Sequence, residues 1–153
     1  MKIEDVPKNK KIILFDGVCN LCESVVQFVI KHDKKDIFRF VSLQSELGIA
    51  IIKYTGFDKL KIDSVLLYEP DGTLYYKAEA VFKIAKYLGG AFKFLAVFSF
   101  IPHGISNLFY DYIARNRYKW FGIKETCMIP TAALLSKYFP SINKTALVIC
   151  QGR

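Results

Sequence analysis

Two cysteines three positions apart, Cys19 and Cys22, with Asp16 three residues before the first, are the residues of this chain best suited to chemistry. Residues at that spacing share one face of a helix, and a disulfide needs Cα atoms roughly 5–6 Å apart, which one helical turn supplies. A thiol that opens a helix meets unpaired backbone N–H groups and the positive end of the dipole, and both favour thiolate over thiol. Cys19 is therefore expected to attack and Cys22 to resolve the mixed disulfide. A carboxylate at Asp16 has two opposed effects. As a general base it takes the proton from Cys22, and by like-charge repulsion it disfavours a thiolate at Cys19. As a turn or cap residue in Asp16-Gly17 it does neither.

These residues need a strand and a helix to position them. Lys11 to Phe15 is a short apolar, β-branched run that reads as a buried strand stopped by Asp16-Gly17. A helix follows from about Asn20 to His32, with Leu21, Val25, Phe28, Val29 and Ile30 as its apolar stripe. A second strand is expected over Ile37 to Val41 and a second helix from Gln44 to Tyr54, stopped at Gly56. Val65 to Tyr68 reads as a third strand, and Glu69-Pro70-Asp71-Gly72 is a turn that returns Leu74 to Tyr76 antiparallel to it. Ala78 to Leu88 is a third helix ended by Gly89-Gly90. The order β-α-β-α-β-β-α is α/β and thioredoxin-like, with the first and third strands adjacent in one sheet. Ala91 to Lys119 reads as additional C-terminal helices, two apolar segments joined at Pro102.

Other chemistries fit the same residues less well. A structural zinc usually takes two close cysteine pairs, and Cys127 and Cys150 are too far apart to form a second one. No metal and no cofactor are expected. Ile-Leu-Phe-Asp-Gly after a strand is similar to the aspartyl-nucleophile phosphohydrolases, whose second Asp falls two residues after the nucleophile; here that position is Val18. Its loss removes the general acid and a magnesium ligand.

The chain has 153 residues, 52% hydrophobic and 24% charged, which excludes a disordered chain and suits one domain. The expected division is a core over about 11–90, a helical extension over about 91–139 and a tail over 140–153. The net charge of +8 comes from lysines such as Lys8, Lys10, Lys11, Lys31, Lys34 and Lys35, which flank apolar elements without forming a stripe. With no RNA-binding strand signature, zinc-finger spacing or basic zipper, no nucleic acid is expected. Phe92 to Ile113 is the most apolar stretch, but Lys93, Pro102, His103, Gly104, Asn107 and Asp111 interrupt it well short of the ~20 residues of a spanning helix. Met1 to Lys11 is polar, and a soluble, cytoplasmic protein is expected. In a reducing compartment a close cysteine pair is catalytic, redox-sensing or metal-binding.

Phe15-Asp-Gly-Val-Cys-Asn-Leu-Cys22 resembles the signature of the DCC family of predicted thiol–disulfide oxidoreductases. The resemblance continues through Arg39-Phe-Val, Pro70-Asp-Gly72, Ala78-Glu-Ala80, Ala114-Arg-Asn-Arg-Tyr118 and Cys127-Met-Ile-Pro130. It implies a thioredoxin-like fold and a dithiol redox role carried by Asp16, Cys19 and Cys22. Well-studied thioredoxins place a cis-proline just before the third strand; here Asp63-Ser64 precedes Val65, so substrate capture is expected to differ.

Arg115 and Arg117, with Lys119, follow the amphipathic run Ile105, Leu108, Phe109, Tyr112, Ile113. Near a thiolate they would lower its pKa or bind a carboxylate or phosphate on a substrate; as cations at a helix C-terminus they need no function. The leading reading is a dithiol oxidoreductase acting on a thiol or disulfide substrate, protein or small molecule. The alternative is a non-catalytic binding module on the same fold for an anionic partner or a membrane surface, without spanning it. Selective alkylation of Cys19 over Cys127 at neutral pH separates the two.

Overall fold

Every second residue of the first strand points to the opposite face of the sheet, and both faces are apolar. The computed structural model describes residues 9–17, 19–57, 65–97 and 100–123. In chain order its elements are β1 (Lys11–Phe15), α1 (Asn20–His32), β2 (Phe38–Ser42), α2 (Glu46–Thr55), β3 (Leu66–Tyr68), β4 (Leu74–Tyr76), α3 (Lys77–Leu88), α4 (Lys93–Val97) and α5 (His103–Phe121), with a 3-10 turn at Gly90–Phe92. The sheet order is β2-β1-β3-β4. β1 runs parallel to β2, in a register that sets Phe15 opposite Ser42. β3 is antiparallel to both β1 and β4. This is the expected thioredoxin-like α/β arrangement, including the adjacency of the first and third strands.

A sheet covered on both faces explains why β1 reads as an unbroken apolar run rather than an alternating one. Ile12 and Leu14 pack with Val41, Leu47, Ile51 and Leu66 on the face that α2 covers. Ile13 and Phe15 pack with Phe38, Phe40, Leu67, Ala80 and Ile84 on the other face, beneath α1 and α3. Cys19, Cys22, Val26 and Val29 belong to this second cluster. The buried stripe of α1 is therefore Cys22, Val26 and Val29 rather than one that includes Phe28, which is 45% exposed. Phe28 is instead stacked beside His32 and Phe92, its ring centroid 4.3 Å and 5.2 Å from theirs. The second cysteine of the pair thus begins the stripe that glues α1 to the sheet.

Local chemistry sets the ends of the elements. α2 begins two residues later than Gln44 because Ser45 caps it: its Oγ accepts from the Gly48 N–H at 3.1 Å. That leaves Gln44 outside the helix, where it serves the site described below. Gly48 packs so tightly on the end of β2 that a Cβ there would stand 2.3 Å from the Ser42 carbonyl oxygen. The Glu69–Gly72 turn closes a true hairpin: Gly72 N–H donates to Glu69 O at 3.0 Å, with Gly72 at φ +90. β2, β3 and α3 each shift by one residue from their expected starts. Beyond the core, Pro102 is the residue before α5, and α4 is a short helix of five residues. The expected loop over Phe57 to Asp63 past Phe57, the Asp63-Ser64 step, Cys127, Cys150 and the expected tail lie outside the described residues.

Candidate active site

The carboxyl ends of β1 and β2 lie side by side, and each hands a polar residue to the same edge of the sheet. Such edges of parallel strands are where open α/β sheets build their sites. After Phe15 the chain turns at Asp16-Gly17, and the Cys19 N–H donates back to the Asp16 carbonyl at 3.4 Å. Cys19 then takes the N-cap position of α1, in extended backbone (φ −92, ψ 117), with its carbonyl accepting from Glu23 N–H at 3.0 Å. The positive end of the α1 dipole favours negative charge at this position. Cys22 lies in the first turn above it. Both are reduced and buried, Cys19 1% and Cys22 4% exposed.

The two sulfurs are not equivalent. Burial is the largest cause that pushes the Cys22 thiol up, to about 12; its hydrogen bond to Cys19 and the charge of Cys19 push the same way, and Arg117 opposes them. Burial thus disfavours a thiolate at Cys22. Arg117 comes from 95 positions beyond Cys22, on α5, and is 3% exposed. Its Nη1 donates to Cys22 Sγ at 3.5 Å, and its Nη2 lies 3.5 Å from Asp16 Oδ2 and donates to Tyr118 Oη at 2.7 Å. Burial works against the Arg117 charge, but its electrostatic interactions with Cys22, Tyr118, Cys19 and Asp16 outweigh it, and its pKa rises.

Asp16 is gripped from both sides. Tyr118 donates its hydroxyl to Oδ2 at 2.5 Å, and Gln44 donates Nε2 to Oδ1 at 2.9 Å. Burial, the bond to Asp16 and the Asp16 charge all raise the Tyr118 pKa, so its hydroxyl remains a donor. Gln44 Oε1 in turn accepts from Gly17 N–H at 3.3 Å and from Ser42 Oγ. Asp16 is therefore held as a fixed acceptor, with the Arg117 guanidinium reaching both its carboxylate and the Cys22 sulfur.

α5 lies across the pair. Tyr110 and Arg117, two turns apart on one face of the helix, both turn toward the sheet edge. Tyr110 Oη accepts from Val65 N–H at 3.1 Å, at the entrance to β3. At the C-terminal end, Asn20 Nδ2 donates to Phe121 O at 2.7 Å, and the Cys19 and Ile123 backbones form an isolated antiparallel bridge. Lys77 binds Asp111 at 2.8 Å and fastens the helix to α3.

Of the residues singled out in the sequence, Asp16, Cys19, Cys22 and Arg117 converge here. Arg115 is exposed on the outer side of α5 and is not part of this hydrogen-bonded network. Tyr118, Gln44, Tyr110 and Asn20 are additional. Tyr110 had a visible signal, its seven-residue spacing from Arg117, and Gln44 another, its place just past the strand parallel to β1. Among the described residues, no group of three or more His, Cys, Asp and Glu side chains is placed to hold a metal ion. No helix among them is long and apolar enough to cross a membrane.

A family model described as DCC1-like thiol-disulfide oxidoreductase matches residues 13–123, from within β1 to just past α5. "Uncharacterized protein YuxK" of Bacillus subtilis (strain 168) is 39% identical over 140 residues, which cover 92% of this chain and 100% of the relative. "DCC family protein At1g52590, chloroplastic" of Arabidopsis thaliana is 44% identical over 119 residues, covering 77% of this chain and 69% of that protein. No solved structure matches with significance. The stretch the family model matches carries the cysteine pair, Asp16 and Gln44 at one end and Arg117 and Tyr118 at the other, and the chain belongs to the DCC1-like thiol-disulfide oxidoreductase family.

Proposed function

We propose that the protein exchanges thiols and disulfides through Cys19 and Cys22, with Cys19 as the attacking sulfur and Cys22 as the resolving one. The observation that carries the reading is the placement of the pair: Cys19 holds the N-cap position of α1, while Cys22, in the first turn, has the Arg117 guanidinium 3.5 Å from its sulfur and its thiol pushed up by burial. In the reducing direction, the Cys19 thiolate attacks one sulfur of a substrate disulfide. The substrate S–S bond breaks, its first sulfur leaves as a thiolate that takes a proton from solvent, and Cys19 is left in a mixed disulfide. Cys22 then gives its proton to Asp16 and attacks Cys19 Sγ. The Cys19–Cys22 disulfide forms and the second substrate sulfur leaves, to be protonated in turn. The substrate gains two electrons and the pair loses two; the same steps run backwards oxidise a dithiol.

The causes acting on Cys22 supply the timing. Two of them, the hydrogen bond to Cys19 and the Cys19 charge, act only while Cys19 is free. Formation of the mixed disulfide neutralises Cys19 and removes that charge. Burial and Asp16 remain against Arg117, so the Cys22 pKa drops when its thiolate is needed.

A small thiol or disulfide is the substrate this geometry favours. An extended polypeptide would pair with backbone groups beside Cys19 and at the start of β3, and Ile123 and Tyr110 already occupy those. A reducing compartment such as the cytoplasm is the setting in which the dithiol form awaits an oxidised substrate. The test is equilibration of the full chain in glutathione buffers of graded potential, followed by peptide mapping. The expected result is a Cys19–Cys22 disulfide that appears in a single two-electron step. Both thiols remaining reduced across the series, or an oxidised form that pairs either with another cysteine, overturns the reading.

A further inference from the structure

We propose that the outward face of α5 docks the protein on an anionic lipid surface, lying in the plane of the headgroups. Ile105, Leu108, Phe109, Tyr112 and Trp120 are 62%, 73%, 67%, 58% and 53% exposed. At 100° per residue they fall, with Arg115 and Lys119, in a single arc of about 140°. The opposite side of the helix carries Tyr110 to the entrance of β3 and Arg117 to the thiol pair, so the apolar arc is not the one that builds the core. A surface helix of a globular domain ordinarily shows the reverse pattern, and an exposed apolar face of this extent marks an interaction site.

Charge selects the partner. The only acid in α5 is Asp111, and it is bound to Lys77 on the flank of the arc. The outward face therefore carries two cations, Arg115 and Lys119, and no anion, on a chain of net charge +8. A second copy of the same face would bring cations against cations with no acid to meet them. An anionic bilayer supplies the missing charge, and Tyr112 and Trp120, ring against ring at 5.7 Å, are the side chains that settle at a headgroup boundary.

Trp120 is the only tryptophan of the chain, so its emission reports this face alone. The reduced protein is titrated with vesicles of phosphatidylcholine and with vesicles that also contain phosphatidylglycerol. The expected result is a blue shift of the Trp120 emission and protection from acrylamide with the anionic vesicles, both reversed by high salt. The double change Arg115→Gln and Lys119→Gln weakens partitioning about 30-fold, with an unchanged thermal midpoint. Three results overturn the proposal: no shift with anionic vesicles, an equal shift with neutral ones, or a Trp120 already blue-shifted and shielded without vesicles. In the last case, dependence on protein concentration assigns the face to a second copy, and independence assigns it to the chain itself.

Discussion

Cys22 is held as a thiol by burial first and by Cys19 next, and the Arg117 guanidinium pulls the other way. Replacing Cys19 by Ala removes both its hydrogen bond and its charge, and the Cys22 thiol is then expected to titrate below about 12. Thiolate absorbance against pH measures it; an unchanged titration would mean that Cys19 does not help to hold the proton. Asp16→Asn removes the proton acceptor. It is expected to slow the decay of a trapped mixed disulfide by about 100-fold while barely altering the first attack on substrate. Unchanged decay takes Asp16 out of the proton path. The grouping of Asp16, Cys19 and Cys22 was legible because the three sit within seven residues. Tyr118 was not: its hydroxyl reaches Asp16 across 102 positions, and nothing local to Arg-Tyr distinguishes a buried hydrogen-bonding tyrosine from a surface one. Arg115 and Arg117 read alike in sequence, and only the rotation of α5 against the sheet sends one outward and the other to the sulfur.

Among the elements, α5 has the most consequence for the site, because its C-terminal end covers Cys19. Asn20→Ala cuts the hydrogen bond to Phe121 O and leaves the Cys19–Ile123 bridge unsupported. Alkylation of Cys19 is expected to accelerate by about 2- to 10-fold, the worth of one hydrogen bond in an opening equilibrium. An unaltered rate would place the barrier to access elsewhere. α2 supplies a case where propensity misleads. Ala is favoured over Gly inside a helix by about 1 kcal/mol, yet a Cβ at Gly48 collides with the Ser42 carbonyl at 2.3 Å. Gly48→Ala is expected to lose about 1–3 kcal/mol in urea denaturation despite that propensity. The succession of strands and helices was legible from apolar runs, the Pro-Asp-Gly turn and the glycine stops. The late start of α2 and the true stripe of α1 were not, since both depend on what the opposing sheet touches.

For the molecule as a whole, the raised Cys22 pKa couples folding to alkaline pH. The unfolded chain loses this proton near the ordinary 9.0, and the folded one near about 12. Between those values the native state binds more protons, so stability falls as pH rises; below about pH 9 the contribution is fully present. One proton sets a slope of about 1.4 kcal/mol per pH unit. Cys22→Ala, kept reduced, is expected to lose less stability between about pH 9 and about pH 11 than the wild-type chain, by up to that slope. Parallel curves would mean that Cys22 titrates normally in the folded protein. Tyr118, also raised, titrates in both proteins and cancels in the comparison.

The division of labour between the two cysteines is tested most directly by trapping. Each single variant, Cys19→Ser and Cys22→Ser, is mixed with a small aromatic disulfide and the adduct is quantified by mass. The account predicts that Cys22→Ser accumulates a long-lived mixed disulfide on Cys19, while Cys19→Ser forms little adduct because burial, the largest cause that holds the Cys22 proton, remains when Cys19 is gone. Equal or faster adduct formation at Cys22 in the Cys19→Ser variant would contradict it.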